Sequence, residues 1–136
     1  MSLENVEIVR RAFEAAARGE REEVLSLYDA EVEWDASRTE LPLGMSGAVH
    51  RGHDGLRRFF REWREAWVSD EYEYDELIDA GDAVISIATQ RDRGRTSGVA
   101  MERMLVGVWT VRDGKIVRVV WFLSREQALE AVGLRE

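Results

Sequence analysis

The sequence predicts an α+β fold, with segregated helices packed on an antiparallel sheet. Three observations carry this. Apolar residues recur at helical spacing near the N-terminus and again over Leu56–Trp67. Beyond residue 70 the period drops to two, and the pattern becomes that of half-buried strands. Asp113-Gly114 separates two long alternating runs, which is a hairpin signal. The 136 residues form a single domain, 1–136, large enough to bury its own core.

The first helix rests on Val6, Val9, Phe13, Ala16 and Ala17, with Ser2 as N-cap and Gly19 as stop. A second, short helix runs from Glu20 to about Tyr28, with Val24, Leu27 and Tyr28 on one side. Glu20, Glu22 and Glu23 in its first turn suit the positive end of the helix dipole. Val32, Trp34 and Ala36 then alternate with Glu31, Glu33 and Asp35, which predicts a short strand. A loop from Ser37 to Gly52 holds the only proline, Pro42. In the third helix Leu56, Phe59, Phe60, Trp63 and Trp67 form the apolar face, opposite Arg57, Arg58, Arg61, Glu62 and Glu65.

Four strands follow. Tyr72, Tyr74 and Ile78 sit at even spacing in the first, and Ala80-Gly81-Asp82 turns the chain. Val84 to Arg91 is the second, RDRGRTSG a polar turn, and Val99 to Val111 the third. Lys115 to Leu123 completes the hairpin after Asp113-Gly114. Ser124 and Gln127 have capping-box spacing and open a terminal helix that stops at Gly133.

Composition excludes several functions. The net charge of −8 repels phosphate backbones and anionic lipid, so neither nucleic acid nor a membrane is expected as a partner. Without cysteine there are no disulfides, no thiolate chemistry and no cysteine metal sites. Glu4 and Glu7 interrupt the N-terminus before any apolar run, and no segment reaches the roughly 20 apolar residues of a membrane span. These features predict a cytoplasmic protein.

Five tryptophans are many for this length. Trp34, Trp63, Trp67, Tyr72, Trp109 and Trp121 come from different elements, and rings with a few polar groups are what a small-molecule pocket needs. Candidate binding residues are Trp34, Tyr72 and Trp121, with Gln90 and Arg103 as polar partners. Asp35 and His53 are the candidate catalytic bases. Strand alternation turns Asp35 outward if Val32 and Trp34 face inward, and a one-residue bulge would reverse this. His53 suits proton transfer near neutral pH, although helix-start patterns favour a surface place as a cap or first-turn residue of the third helix. His50 lies in the preceding loop, where it could close over a pocket. The HRGH spacing has no third ligand nearby, so no metal is expected. The acidic run DEYEYDELIDAGD lacks the oxygen spacing of a calcium loop and reads as a solvated sheet face. Arg91, Arg93 and Arg95 are either an anion clamp or a solvated turn.

Four stretches resemble the nuclear transport factor 2-like superfamily, and within it the SnoaL-like polyketide cyclase and ketosteroid isomerase group. They are NVEIVRRAFEAAARGE, LYDAEVEW, RGHDGLRRFFREW and VWTVRDGKIVRVVWF, and the resemblance covers nearly the whole chain. It implies a cone-shaped half-barrel, a curved sheet wrapped around helices, with a pocket at the open end and a homodimer formed through the sheet. It also implies chemistry without a cofactor. Aligned without gaps from Ala30, the isomerases' base position falls on Trp34. The acid associated with cyclases after the last strand's tryptophan is absent, since Phe122 follows Trp121. An epoxide hydrolase-like set of Asp, Arg and Asp on neighbouring strands would use Arg103, which has no strand aspartate at alternate spacing.

Two functions follow. One is a pocket for a small apolar cyclic or aromatic molecule, with isomerase or cyclase chemistry by proton transfer alpha to a carbonyl. The other is a non-catalytic dimeric module that binds a ligand or serves structurally.

Overall fold

The computed structural model describes residues 2–39 and 49–133, without the side chains of 2, 3 and 69–73. Its elements are α1 (Ser2–Ala17), α2 (Arg21–Leu27), β1 (Tyr28–Asp35), β2 (Val49–Arg51), α3 (Gly52–Ala66), β3 (Trp67–Asp79), β4 (Ala83–Gly94), β5 (Ala100–Arg112), β6 (Lys115–Phe122) and α4 (Arg125–Ala131). The strands form one sheet in the order β2-β1-β6-β5-β4-β3. Neighbours are antiparallel except β1 and β6, which run parallel. The sheet curls into a half-barrel, as the resemblance implies, and the fold is α+β, as the element order predicts.

Strand alternation divides the core in two. Inward residues of β4, β5 and β6, such as Val84, Leu105, Trp109 and Trp121, pack with Val9 and Phe13 of α1 and Leu56 and Phe59 of α3. Outward residues, such as Ile85, Val106, Val108 and Phe122, pack with Ala128 and Leu129 of α4. The terminal helix therefore covers part of the convex face. Its cap is as expected, with Ser124 Oγ accepting from the Gln127 N–H at 3.2 Å. In the β5–β6 hairpin both Asp113 and Gly114 have positive φ, the geometry of a tight primed turn.

Several boundaries differ from the sequence reading for physical reasons. On α1, Ala12 and Ala15 are buried, while Ala16 and Ala17 are exposed. Ser2 is already helical, and its side chain lies outside the description. Tyr28 opens β1 rather than closing α2, and Lys115 Nζ caps the departing helix by donating to the Ser26 carbonyl at 2.6 Å. The predicted loop contains β2, which pairs with β1, and Gly52 turns from it into α3 at φ +70°. The rest of that loop, Pro42 included, lies outside the described residues.

Trp67 does not extend the third helix. It is the C-cap residue with β geometry and starts β3. A register shift between Tyr74 and Glu76 then breaks the even spacing, so Tyr74 and Leu77 join the inner core and Ile78 the outer one. β4 runs three residues past its predicted end, to Gly94, because β3 pairs with it as far as Gly94 and β5 as far as Arg93.

Candidate functional site

Between α1, α2, α3 and the concave sheet lies a cavity of about 860 Å³, within the range of roughly 300–1,000 Å³ typical of small-molecule sites. Its walls are rings. Trp34 lies 5.2 Å from Trp121, 5.6 Å from Phe59 and 5.6 Å from Phe60, and Trp109 lies 5.5 Å from Trp121. Such pairs each add about 0.5–1.5 kcal/mol beyond area burial. The Trp109 indole donates to Ser86 Oγ at 2.8 Å, which satisfies both buried groups. The indole N–H groups of Trp34 and Trp121 are buried without an acceptor. Each costs about 1–3 kcal/mol unless an acceptor from outside the chain meets it.

On the sheet side of the cavity, four polar side chains interrupt this apolar surface: Tyr28, Gln90, Asp92 and Arg103. Gln90 and Asp92 stand two residues apart on β4, so they share its inner face. Gln90 is paired with Arg103 across β5, and Arg103 Nε donates to Gln90 Oε1 at 2.8 Å. Asp92 is only 3% exposed. Burial pushes the Tyr28 phenol far above its usual range, so at neutral pH it is a hydrogen-bond donor.

Of the predicted binding residues, Trp34, Gln90, Arg103 and Trp121 all line this cavity. Tyr72 is opposite Gln90 in the β3–β4 register, and its side chain lies outside the description. The two predicted bases are elsewhere. Asp35 is turned away, because Val32, Trp34 and Ala36 are the buried residues of this run. β1 does carry a register irregularity, but between Tyr28 and Glu33, upstream of the position that would have turned Asp35 inward. The Asp35 carboxylate accepts from the N–H of Ser37 at 2.9 Å and from its hydroxyl at 2.6 Å. Its neighbour Glu33 also faces out, bridging Arg51 and Arg118.

His53 sits in the first turn of α3, where its Nε2 is 2.9 Å from the Tyr28 carbonyl. It ties the helix to β1 and does not line the cavity. His50 is buried opposite Trp34, with its ring 4.9 Å from Phe59. Two of the arginines of the predicted turn are engaged within the chain. Arg91 pairs with Glu102 on the outer face, and Arg95 caps α3 by donating to the carbonyls of Arg64 at 3.0 Å and Trp67 at 3.2 Å.

Asp92 and Tyr28 were missed as site residues. The charged, glycine-containing run at Arg91 reads as a turn, although Ala88, Gln90 and Asp92 continue the inward alternation of β4. That continuation was the available signal. It also corrects the expectation that Arg103 has no strand aspartate near it, since Asp92 is on the neighbouring strand and the same face.

The Asp35 carboxyl group is tested by its titration. Burial works to raise its pKa, but the Ser37 hydroxyl and N–H, then Arg118 and Arg38, outweigh this and hold it below the ordinary value. A depressed folded-state pKa stabilises the fold above the unfolded pKa, and this stabilisation is lost as pH falls through the folded value. Asp35→Asn is expected to cost less than about 1 kcal/mol at pH 7 after solvent screening, with the difference shrinking below about pH 4. Urea melts of both proteins at pH 7 and pH 3 measure this. A cost that grows on acidification would contradict the placement of Asp35.

A family model described as the SnoaL-like domain matches residues 9–119. Among solved structures, an NTF2-like protein of Burkholderia thailandensis is 27% identical, with a TM-score of 0.76 over 92% of this chain and 96% of that one. A second NTF2-like protein, from Burkholderia xenovorans, is 26% identical, with a TM-score of 0.74 over 96% of both chains. TerC, co-crystallised with polyporic acid, is 22% identical, with a TM-score of 0.74 over 96% of this chain and 98% of that one. No curated protein matches the sequence. Among the described residues no helix is long and apolar enough to cross a membrane.

Proposed function

Because this chain belongs to the SnoaL-like domain family, we propose that its cavity binds a small apolar cyclic or aromatic molecule and moves a proton on it. The observation that carries this reading is Asp92, a carboxyl group 3% exposed in the wall of a ring-lined cavity. Placing a carboxyl group there costs desolvation that packing alone does not require, and such groups concentrate at sites of proton transfer.

In this reading Asp92 exchanges the proton at the carbon alpha to a ligand carbonyl. Tyr28 and Arg103 stabilise the charge that develops on the carbonyl oxygen, one as a neutral donor and one as a cation. Gln90 positions Arg103 through their hydrogen bond. Trp34 and Trp121 hold the ligand's apolar body, and the ring walls keep bulk water from the reacting atoms. No step calls on a metal or an organic cofactor.

The test is a thermal-shift and tryptophan-fluorescence screen against cyclic ketones, steroids and hydroxylated aromatics. Binding should raise the melting temperature and perturb the emission of Trp34 and Trp121, which line the cavity. A panel without a single binder would refute the reading.

The second reading, a dimeric module, concerns the other face of the sheet. Met104 is 48% exposed on the convex side of β5, next in alternation to the buried Val106 and Val108. That exposed apolar group supports a homodimer through the sheet. The expected result by light scattering is twice the 15.6 kDa chain mass for the wild type and the single-chain mass for Met104→Glu. A monomeric wild type would rule out this interface.

A further inference from the structure

Accepting that reading of the cavity, we infer that its ligand carries an anionic oxygen group, a carboxylate or a phosphate, held at the mouth by Arg21, Arg61 and Arg64. The lining passes from rings to charge where it reaches α2 and α3. Arg57, Arg61 and Arg64 stand at i, i+4 and i+7 along α3, so they form one column at the cavity's edge. Arg21, at the start of α2, lines the same mouth.

Arg57 already has a partner, Asp54 at 2.9 Å. Arg21, Arg61 and Arg64 have no carboxylate within ion-pair distance among the described residues. They also repel one another. Burial and then the charges of Arg21 and Arg61 lower the pKa of Arg64, with Glu65 opposing them weakly. Two acids share the mouth, and one of these, Glu20, is taken up by Arg18. Glu22 is the other acid of this rim, beside three guanidinium groups without an ion pair among the described residues.

This arrangement runs against the character of the rest of the chain. The protein carries a net charge of −8, so its overall field disfavours an anion. Acidic side chains are abundant, yet these three cations are left without one. Like charges held together beside an apolar cavity are destabilising by themselves, and an anion arriving with its apolar body in the cavity relieves the repulsion. Guanidinium groups also match carboxylate and phosphate oxygens in geometry. The ligand is therefore amphipathic, with its rings between the tryptophans and its charge at the rim.

The experiment compares 2-naphthamide, 2-naphthoate and 2-naphthyl phosphate, which share one ring system, by fluorescence titration and calorimetry at low and high salt. The wild type should bind at least one anion about tenfold tighter than the amide, equivalent to about 1.4 kcal/mol. The preference should shrink as salt rises. Arg61→Gln/Arg64→Gln should lose most of it and leave amide binding unchanged, while Arg112→Gln, outside the lining, should keep it. Whichever anion shows the larger arginine-dependent preference names the class. Equal binding of all three probes by the wild type would overturn the inference and leave the cavity reading intact, as would a preference that survives the double substitution. Binding of none of them would overturn both.

Discussion

Asp92→Asn is expected to reduce proton exchange on a bound ligand by about a hundredfold or more, the usual contribution of a positioned acid–base group. The substitution is nearly isosteric. It keeps the hydrogen-bonding capacity on the β4 face and removes only the ability to take up and return a proton. Ligand affinity should therefore change little, because the rings that hold the ligand are untouched. The measurement is loss of the alpha-proton NMR signal in heavy water, for the best cyclic ketone from the screen. Asp35→Asn is the matched control, one carboxylate removed from the opposite side of the sheet, and its exchange rate should equal that of the wild type. Loss of exchange in Asp35→Asn but not in Asp92→Asn would reverse the assignment.

The second large effect is on stability. Trp109→Ala should cost about 3–5 kcal/mol, the range for emptying a large buried aromatic site. Trp109 is 3% exposed and joins three elements, with Phe13 of α1 at 5.5 Å, Tyr28 of β1 at 6.3 Å and Trp121 of β6 at 5.5 Å. Its loss would also leave the Ser86 hydroxyl, fully buried, without its donor. Trp109→Phe separates the two contributions. It keeps most of the ring packing and should cost about 1–3 kcal/mol, largely the unmet hydrogen bond. Ser86→Ala should then be better tolerated in Trp109→Phe than in the wild type. Denaturant midpoints for the wild type, both Trp109 variants, Ser86→Ala and the Trp109→Phe/Ser86→Ala double variant decide this. A cost below about 1 kcal/mol for Trp109→Ala would mean that the concave core is not packed around this ring.

Most of the fold was legible because its signals are local and repeated. The ring pattern of α3 up to Trp63, the Asp113-Gly114 turn and the Ser124 cap each depend on a few neighbouring residues, and each appears where expected. What was not legible depends on pairing between distant segments. Nothing near Val49–Arg51 marks a strand, and β2 exists because β1 offers its edge. The faces of β3 after Tyr74 are set by a bulge whose cause lies in the register with β4. The same limit governed the site. Trp34, Gln90, Arg103 and Trp121 line the cavity because inward alternation places them there, and the outward direction of Asp35 was legible for the same reason. Asp92 was missed because three arginines and a glycine around it imitate a turn, whereas pairing on both sides keeps that segment extended. Tyr28 was missed because the end of a helix cannot be told locally from the start of a strand.

We propose that the ring-lined cavity, with Asp92 in its wall, is where a ligand is bound and changed. The most direct measurement is a crystal structure of the protein with the tightest-binding ligand from the screen. The ligand's rings are expected between Trp34 and Trp121, with a polar atom within hydrogen-bond reach of Asp92, Tyr28 or Arg103. A ligand seated in the smaller cavity of about 340 Å³ between Arg38, Phe122 and α4 would contradict it, as would one held by Asp35.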